Sequence, residues 1–383
     1  MSTSTSHSAP RRAALVLLAL AAVFLTFATA GPRAALLLLV GLGFGLTLEG
    51  LRFGFAGPWR TLVTERDARG LLAQFLAIGL TACVAMPLLA SFPTELNGAH
   101  APIGLAMIVA AFVFGAAMQV VMGCGSGTLV NAGSGNAIAL VALLGFVAGS
   151  FLGTLHLGWW SSLGVLPLLT LQGLFGTAGG LVATLLGLGV LAALALGRAV
   201  PGKRLPQGRL WLAALLVALL ASLNLVIAGQ SWGVVYGLGL WGAKLVSAAG
   251  ADLSGTAFWG SAAHAERLSQ SLLTDVTSLT NIGLILGAFL VMRWREKPDP
   301  QVAPLSARSW LVVLLAGLVL GYSARVALGC NVGAFFSGVS TGSLHGWAWF
   351  VAAFAGSLLG IRLRPRLLLP LLSPSGSAAG GGR

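Results

Sequence analysis

Long apolar runs separated by short polar breaks fill the chain. Runs at 13–30, 33–52, 70–90, 102–122, 136–156, 168–196, 210–229, 275–292, 310–329 and 343–361 are each largely apolar. Roughly 18 or more such residues cross a bilayer as a helix. The pattern predicts an all-α polytopic membrane protein with about ten transmembrane helices and the lipid bilayer as its surroundings. The first run ends in TFATAG, which has the small-residue look of a signal-peptidase site. It reads better as the first span, and the next helix starts from the outer side in either case.

One stretch, 230–274, breaks the pattern. GQSWGVVYGLGLWGAKLVSAAG leads into a polar segment with Asp252, His264, Glu266 and Arg267. It reads as a re-entrant half-helix followed by an external loop, or as two further short spans. The parity of the crossings favours the first.

Composition sharpens the class. Of 383 residues, 57% are hydrophobic and 8% charged, against about 25% charged in a soluble domain; mean hydropathy is +0.93. A net charge of +13 would suggest nucleic acid in a soluble protein. Here the arginines and lysines sit in short loops: Arg52, Arg60, Arg66 and Arg69; Arg198, Lys203, Arg204 and Arg209; Arg293, Arg295, Lys297 and Arg308; then Arg362, Arg364 and Arg366. That is the positive-inside pattern. It predicts cytoplasmic termini in an inner (plasma) membrane, with Arg33 an exception, and no nucleic-acid partner. Residues 1–366 read as one membrane transport domain, and 367–383, ending SPSGSAAGGGR, as a disordered tail.

Three cysteines without CxxC spacing offer neither a disulfide framework nor a zinc site. There is no HExxH and no Walker loop, and GSGTLVNAGSGN lacks the strand context of a dinucleotide site. No enzyme, cofactor or metal is expected.

Two of the cysteines lie in matching settings. Gly115, Gly123, Cys124 and Gly127 repeat as Gly321, Gly329, Cys330 and Gly333, the pattern G-x7-G-C-x-x-G. FVAGS at 146–150 answers FAGS at 354–357, and a weaker third copy carries Gly45, Gly54 and Gly57, with glycine at the cysteine position. On the predicted topology the two cysteine copies are inverted, in halves of roughly 33–200 and 205–366. Many transporters place a site at such an interface. Broken helices inside a bilayer are tolerated where they are buried in protein or line a watery cavity. Each loop would present backbone N–H groups at the start of the next helix, which suits an anion. An anion there needs compensating charge and donors. Arg325, five residues before Cys330, and Lys244 are the candidate cations; Asn331, Asn131, Ser126, Thr128 and Ser337 are candidate neutral donors. Cys83 reads as an ordinary buried thiol, and His345 either as a proton-coupled element or as a hydrogen-bonded residue at a helix start.

The stretches GFGLTLEGLRFGFAGPWR (43–60), FGAAMQVVMGCGSGTL (114–129), GQSWGVVYGLGLWGAK (229–244), TNIGLILGA (280–288) and RVALGCNVGAFFSGVSTGSLHGWAW (325–349) resemble the YeeE/YedE family of sulfur-transport membrane proteins. The resemblance implies an hourglass-like fold with short re-entrant helices, and thiosulfate passed along a central path by thiol hydrogen bonds. Cys124 and Cys330 fall on two of the family's path cysteines; the third falls at Gly54. That departure bears on thiosulfate as the substrate more than on transport. Other anions, such as a selenium compound, stay open, as does transfer of the cargo to a cytoplasmic sulfur-carrier protein. A rival reading has Cys124 or Cys330 carry a persulfide as a membrane sulfurtransferase; no base stands beside either cysteine in the sequence.

Overall fold

A turn at Gly31 organises the start of the chain. In the computed structural model, which describes residues 8–295 and 306–368, the first helical segment is α1 (Ser8–Gly50), and Gly31 inside it takes φ 84° and ψ 178° ahead of Pro32. Only glycine reaches that region without strain. Leu15 and Leu42 share one apolar cluster with Leu290, although a continuous helix would hold them about 40 Å apart. Arg11 donates to the Arg293 carbonyl and Arg295 to that of Gly50, so both ends of α1 meet the same end of α11 (Val276–Trp294). The runs 13–30 and 33–52 are therefore two antiparallel arms.

The other long helices are α3 (Arg69–Ser91), α4 (Leu105–Val121), α6 (Ala137–Ser162), α7 (Leu171–Arg198), α8 (Arg209–Ala228), α12 (Ala307–Val326) and α14 (Leu344–Leu367). Among the described residues nine segments are long and apolar enough to cross a membrane. Counting α1 as two arms gives ten crossings, so the chain is a multi-pass, all-α membrane protein. Shorter helices fill the interior and one face: α2 (Gly57–Glu65), α5 (Gly125–Gly133), α9 (Val235–Ala248), α10 (Ala262–Ser269) and α13 (Ser337–Ser340), the last preceded by a π-helical turn, Asn331–Phe336. Lys297 and tail residues 369–383 lie outside the described residues.

Three pairs of parallel helices pack through glycine. Gly41 and Gly45 in α1 lie against Thr280 and Leu284 of α11; Gly145 and Gly149 in α6 lie against Leu314 and Leu318 of α12; Gly356 and Gly360 in α14 lie against Phe112 and Ala116 of α4. Small residues let backbones approach closely, the usual basis of helix association in lipid.

The two faces differ in charge. On the basic face, Lys203 pairs with Glu65 at 3.3 Å, Arg69 with Asp67 at 2.6 Å, and the Ala68 N–H donates to the Lys203 carbonyl. On the opposite face, the loops around Asn97, Thr170, Gln230 and Ser343 meet in isolated bridges. Arg33, the exception to the charge pattern, lies there and donates to the Ile227 and Ala228 carbonyls at 2.8 and 2.9 Å. A cation at the C-terminus of α8 caps orphan carbonyls and complements the helix dipole.

Segment 229–275 leaves and re-enters the bundle on this opposite face, since Ala228 and Leu279 share one cluster with Ala34 and Leu37 beside the Gly31 turn. It forms a re-entrant element, α9, followed by a strap over the surface. Cys83 corrects a sequence expectation: its thiol is exposed on α3, because the apolar side of that helix faces outward as well as inward.

Candidate functional site

The same helix ending occurs three times. Arg52, Met122 and Leu328 take left-handed φ values of 57°, 60° and 61°. The next N–H reaches back five residues in each case: Phe53 to Leu48, Gly123 to Met118, and Gly329 to Ala324, at 3.0, 3.1 and 2.9 Å. This is a Schellman-type end, here without glycine at the left-handed position, which costs roughly 1–2 kcal/mol each. The residue after that pair is Gly54, Cys124 or Cys330.

Both cysteines then start a new helix. Each has an extended backbone, and its carbonyl accepts the first helical bond, from the Thr128 N–H at 2.9 Å and the Ala334 N–H at 2.8 Å. At the third loop the Gly54 carbonyl accepts from Gln74 Nε2 at 2.8 Å, and α2 begins at Gly57.

The two cysteine loops meet. Both thiols are fully buried. Cys124 Sγ lies 3.4 Å from Ser126 Oγ, and the Ser126 and Gly127 N–H groups face it. The N–H groups of Val332, Gly333 and Gly125 face the Cys330 sulfur, so Gly125 of one loop contributes to the thiol of the other. Gly123 and Gly329 are crowded by the backbone of the helix that follows, at Thr128 and Ala334, whereas Gly333 faces open space.

Beside Cys330, Asn331 is fully buried with neither amide atom hydrogen-bonded. A buried polar group without a partner costs about 1–3 kcal/mol, so its amide keeps an unused donor and acceptor in the interior. Asn281 of α11 donates from Nδ2 to the Val234 carbonyl at 3.0 Å, and its Oδ1 is unpartnered. Trp232, stacked on Phe44 with ring centroids 3.7 Å apart, meets Phe55 and Phe336 edge-on. Its carbonyl accepts from Ser337 Oγ at 2.7 Å.

The two candidate cations lie elsewhere. Arg325 donates to the Val235 carbonyl at 3.0 Å, not to Glu49, which pairs with Arg52 and Arg295. Lys244 donates to the Leu268 and Gln270 carbonyls and so fastens the strap. His345 is buried and shares a 2.7 Å hydrogen bond with Ser343 Oγ, as a residue at a helix start would. Sequence reasoning missed Asn281, although an amide inside an apolar run signals an interior polar role. It also missed Trp232 and Phe258, which carry no local signal.

Comparison with known proteins adds a family. A family model described as sulphur transport matches residues 51–359. The chain is 28% identical over 169 residues to the probable transporter YedE of Escherichia coli (strain K12), covering 44% of this chain and 41% of that protein. It is 27% identical over 330 residues to the thiosulfate transporter TsuA of Spirochaeta thermophila, covering 81% of this chain and 92% of that one. The match thus spans well under half the length of YedE but nearly all of TsuA.

Proposed function

Because the chain belongs to the sulphur transport family, we propose that it is an inner-membrane permease for a small sulfur-containing anion, thiosulfate first among them, with cytoplasmic termini. The observation that carries this reading is the meeting of two buried thiols from two like loops. The 27% identity to TsuA across most of both chains supports thiosulfate.

Cys124, Cys330 and the Asn331 amide form the path, while Gly123, Gly127, Gly329 and Gly333 shape the loops that carry them. A neutral S–H is a weak donor. It holds a polarisable sulfur terminus loosely enough to release it, as conduction through successive sites requires. The halves act as inverted repeats: α4 packs along α14 and α12 along α6, so the first helix of each loop unit is paired with the second helix of the other. A cytoplasmic sulfur carrier would then receive the cargo.

Uptake of labelled thiosulfate into cells lacking other sulfur importers tests the reading, with wild type, Cys124→Ala and Cys330→Ala at matched membrane expression. Each mutant is expected to lose at least about tenfold, the equivalent of one 1.4 kcal/mol hydrogen bond to an anion. Wild-type uptake that persists undiminished in both mutants removes the thiols from the path. No wild-type uptake moves the substrate to another anion.

A further inference from the structure

Arg325 lies on the last turn of α12, near the face opposite the basic loops: one turn earlier, Tyr322 accepts from Trp160 Nε1 at 2.8 Å, close to the end of α6. Its Nη2 reaches the Val235 carbonyl at 3.0 Å and Ser150 Oγ at 3.5 Å. Its Nε is sealed from the surroundings and has no partner. The guanidinium carbon lies 5.8 Å from the Tyr236 ring centroid and 5.5 Å from that of Phe258.

None of the ion pairs among the described residues involves Arg325. Of the three carboxylates in the adjoining segment, Asp275 is engaged by Arg267 at 3.6 Å and by the Ser278 N–H at 2.7 Å, Asp252 accepts from Ser254, and Glu266 accepts from Gln270 Nε2 at 2.7 Å. His264 is bonded through Nδ1 to the Tyr236 hydroxyl at 3.1 Å. The aromatic faces attract the cation but leave its charge uncompensated. A charge within a membrane-spanning helix costs at least about 2.5–3.5 kcal/mol. A neutral amide would serve to hold the Val235 carbonyl, so the charge itself calls for a counter-ion, and no ion pair among the described residues supplies one.

Arg325 packs closely against Gly153 and Gly239 on one side and is covered by the strap on the other. Segment 249–275 lies over Arg325, with Phe258 stacked on His264 at 4.0 Å. Trp259 Nε1 pins it to Thr154 Oγ1 at 2.7 Å, and Lys244 holds its far end through the Leu268 and Gln270 carbonyls. The re-entrant turn beneath Arg325 continues to Val234, which touches the Gly125–Cys330 contact.

We propose that Arg325, flanked by Tyr236 and Phe258 under the 249–275 strap, is a second anion site, where the oxygens of a small oxyanion dock before its sulfur reaches the thiols. The site deepens the permease reading and rests on it for its place in the path. A planar guanidinium recognises paired oxygens, a task that thiols perform poorly. The two centres divide the substrate: charge and oxygens at Arg325, the soft sulfur atom at Cys330 and Cys124.

The test uses the purified full chain in detergent at constant ionic strength. Thermal unfolding is followed in thiosulfate, sulfate and sulfite titrations, alongside thiosulfate uptake in cells. Wild type should show a saturable rise in Tm with an oxyanion. Cys124→Ala should keep that rise while losing uptake. Arg325→Gln should lose the rise and increase KM for uptake at least tenfold. Arg325→Gln that is folded and keeps both the rise and the wild-type KM overturns the site, as does a rise lost in Cys124→Ala but kept in Arg325→Gln. The absence of any oxyanion-dependent rise in wild type overturns it as well. Should Arg325→Gln fail to fold, Arg325→Lys keeps the charge without the planar fork and is judged by the same two readouts. Should wild type take up no thiosulfate, the permease reading for that anion fails, while a sulfate- or sulfite-dependent rise that needs Arg325 still upholds the site.

Discussion

Cys330 and Gly125 are in contact across the two cysteine loops: a Cβ at position 125 would lie 2.9 Å from the Cys330 sulfur and 3.4 Å from Val234 Cγ1. Position 125 therefore tolerates only hydrogen. Gly125→Ala forces the thiol aside in a close-packed interior and should cost about 1–3 kcal/mol of stability. Uptake should fall along with it. Thermal unfolding and transport of this variant together check the contact; wild-type values for both would contradict it.

Cys83 serves as the internal control among the three cysteines. Its side chain is exposed on α3, and surface substitutions away from special features usually stay within about 0.5 kcal/mol. Cys83→Ala should transport at the wild-type rate and unfold at the wild-type temperature. A loss of uptake in Cys83→Ala would bring α3 into the path.

Gly31 carries the turn between the arms of α1. A Cβ there meets open space, so any cost of Gly31→Ala comes from backbone strain at φ 84°. Strain in such a region costs of order 1–3 kcal/mol. The substitution should lower Tm without changing KM, because an added Cβ there touches no residue of either cysteine loop.

His264 makes the strap sensitive to acid. Burial, and after it the neighbouring Arg325 and Arg267 charges, hold its imidazole below the ordinary histidine value. It is neutral in the fold at pH 7, while the unfolded strap takes up a proton at the ordinary value. Stability is therefore complete above that ordinary value and is lost as pH falls through the depressed one. Protection against hydrogen exchange over 258–270, corrected for the intrinsic rate at each pH, should fall in wild type as pH drops below the ordinary histidine value, and this acid response should be flattened in His264→Phe. Equal acid response in both proteins would place the sensitivity elsewhere.

The crossings were legible because burial in lipid demands continuous apolar runs, whereas for 230–274 the parity of the crossings only favoured a re-entrant element over two further short spans. The like loops around Cys124 and Cys330 showed in their glycine spacing, and the shared left-handed residues Met122 and Leu328 reveal why: the same helix ending precedes each. Arg325 stood out as a charge inside a span. Its companions did not. Phe258 and His264 come from a polar segment without periodicity, and their approach to Arg325 depends on the strap's path over the surface. Cys83 was misread because a helix bordered by lipid is apolar on every side, so apolar neighbours in the sequence do not distinguish an inward thiol from an outward one.

The glycine seams that join α1 to α11, α4 to α14 and α6 to α12 have a mechanical consequence. Sliding either partner along its seam by one residue would drive a side chain into a neighbouring carbonyl, so these pairs behave as girders rather than pistons. Deformation is left to the short pieces slung between them: α2, α5, α9 and the turn after Cys330. On the permease reading, a cycle carried by parts so small would displace little protein volume, and its rate would be nearly indifferent to the thickness of the surrounding bilayer.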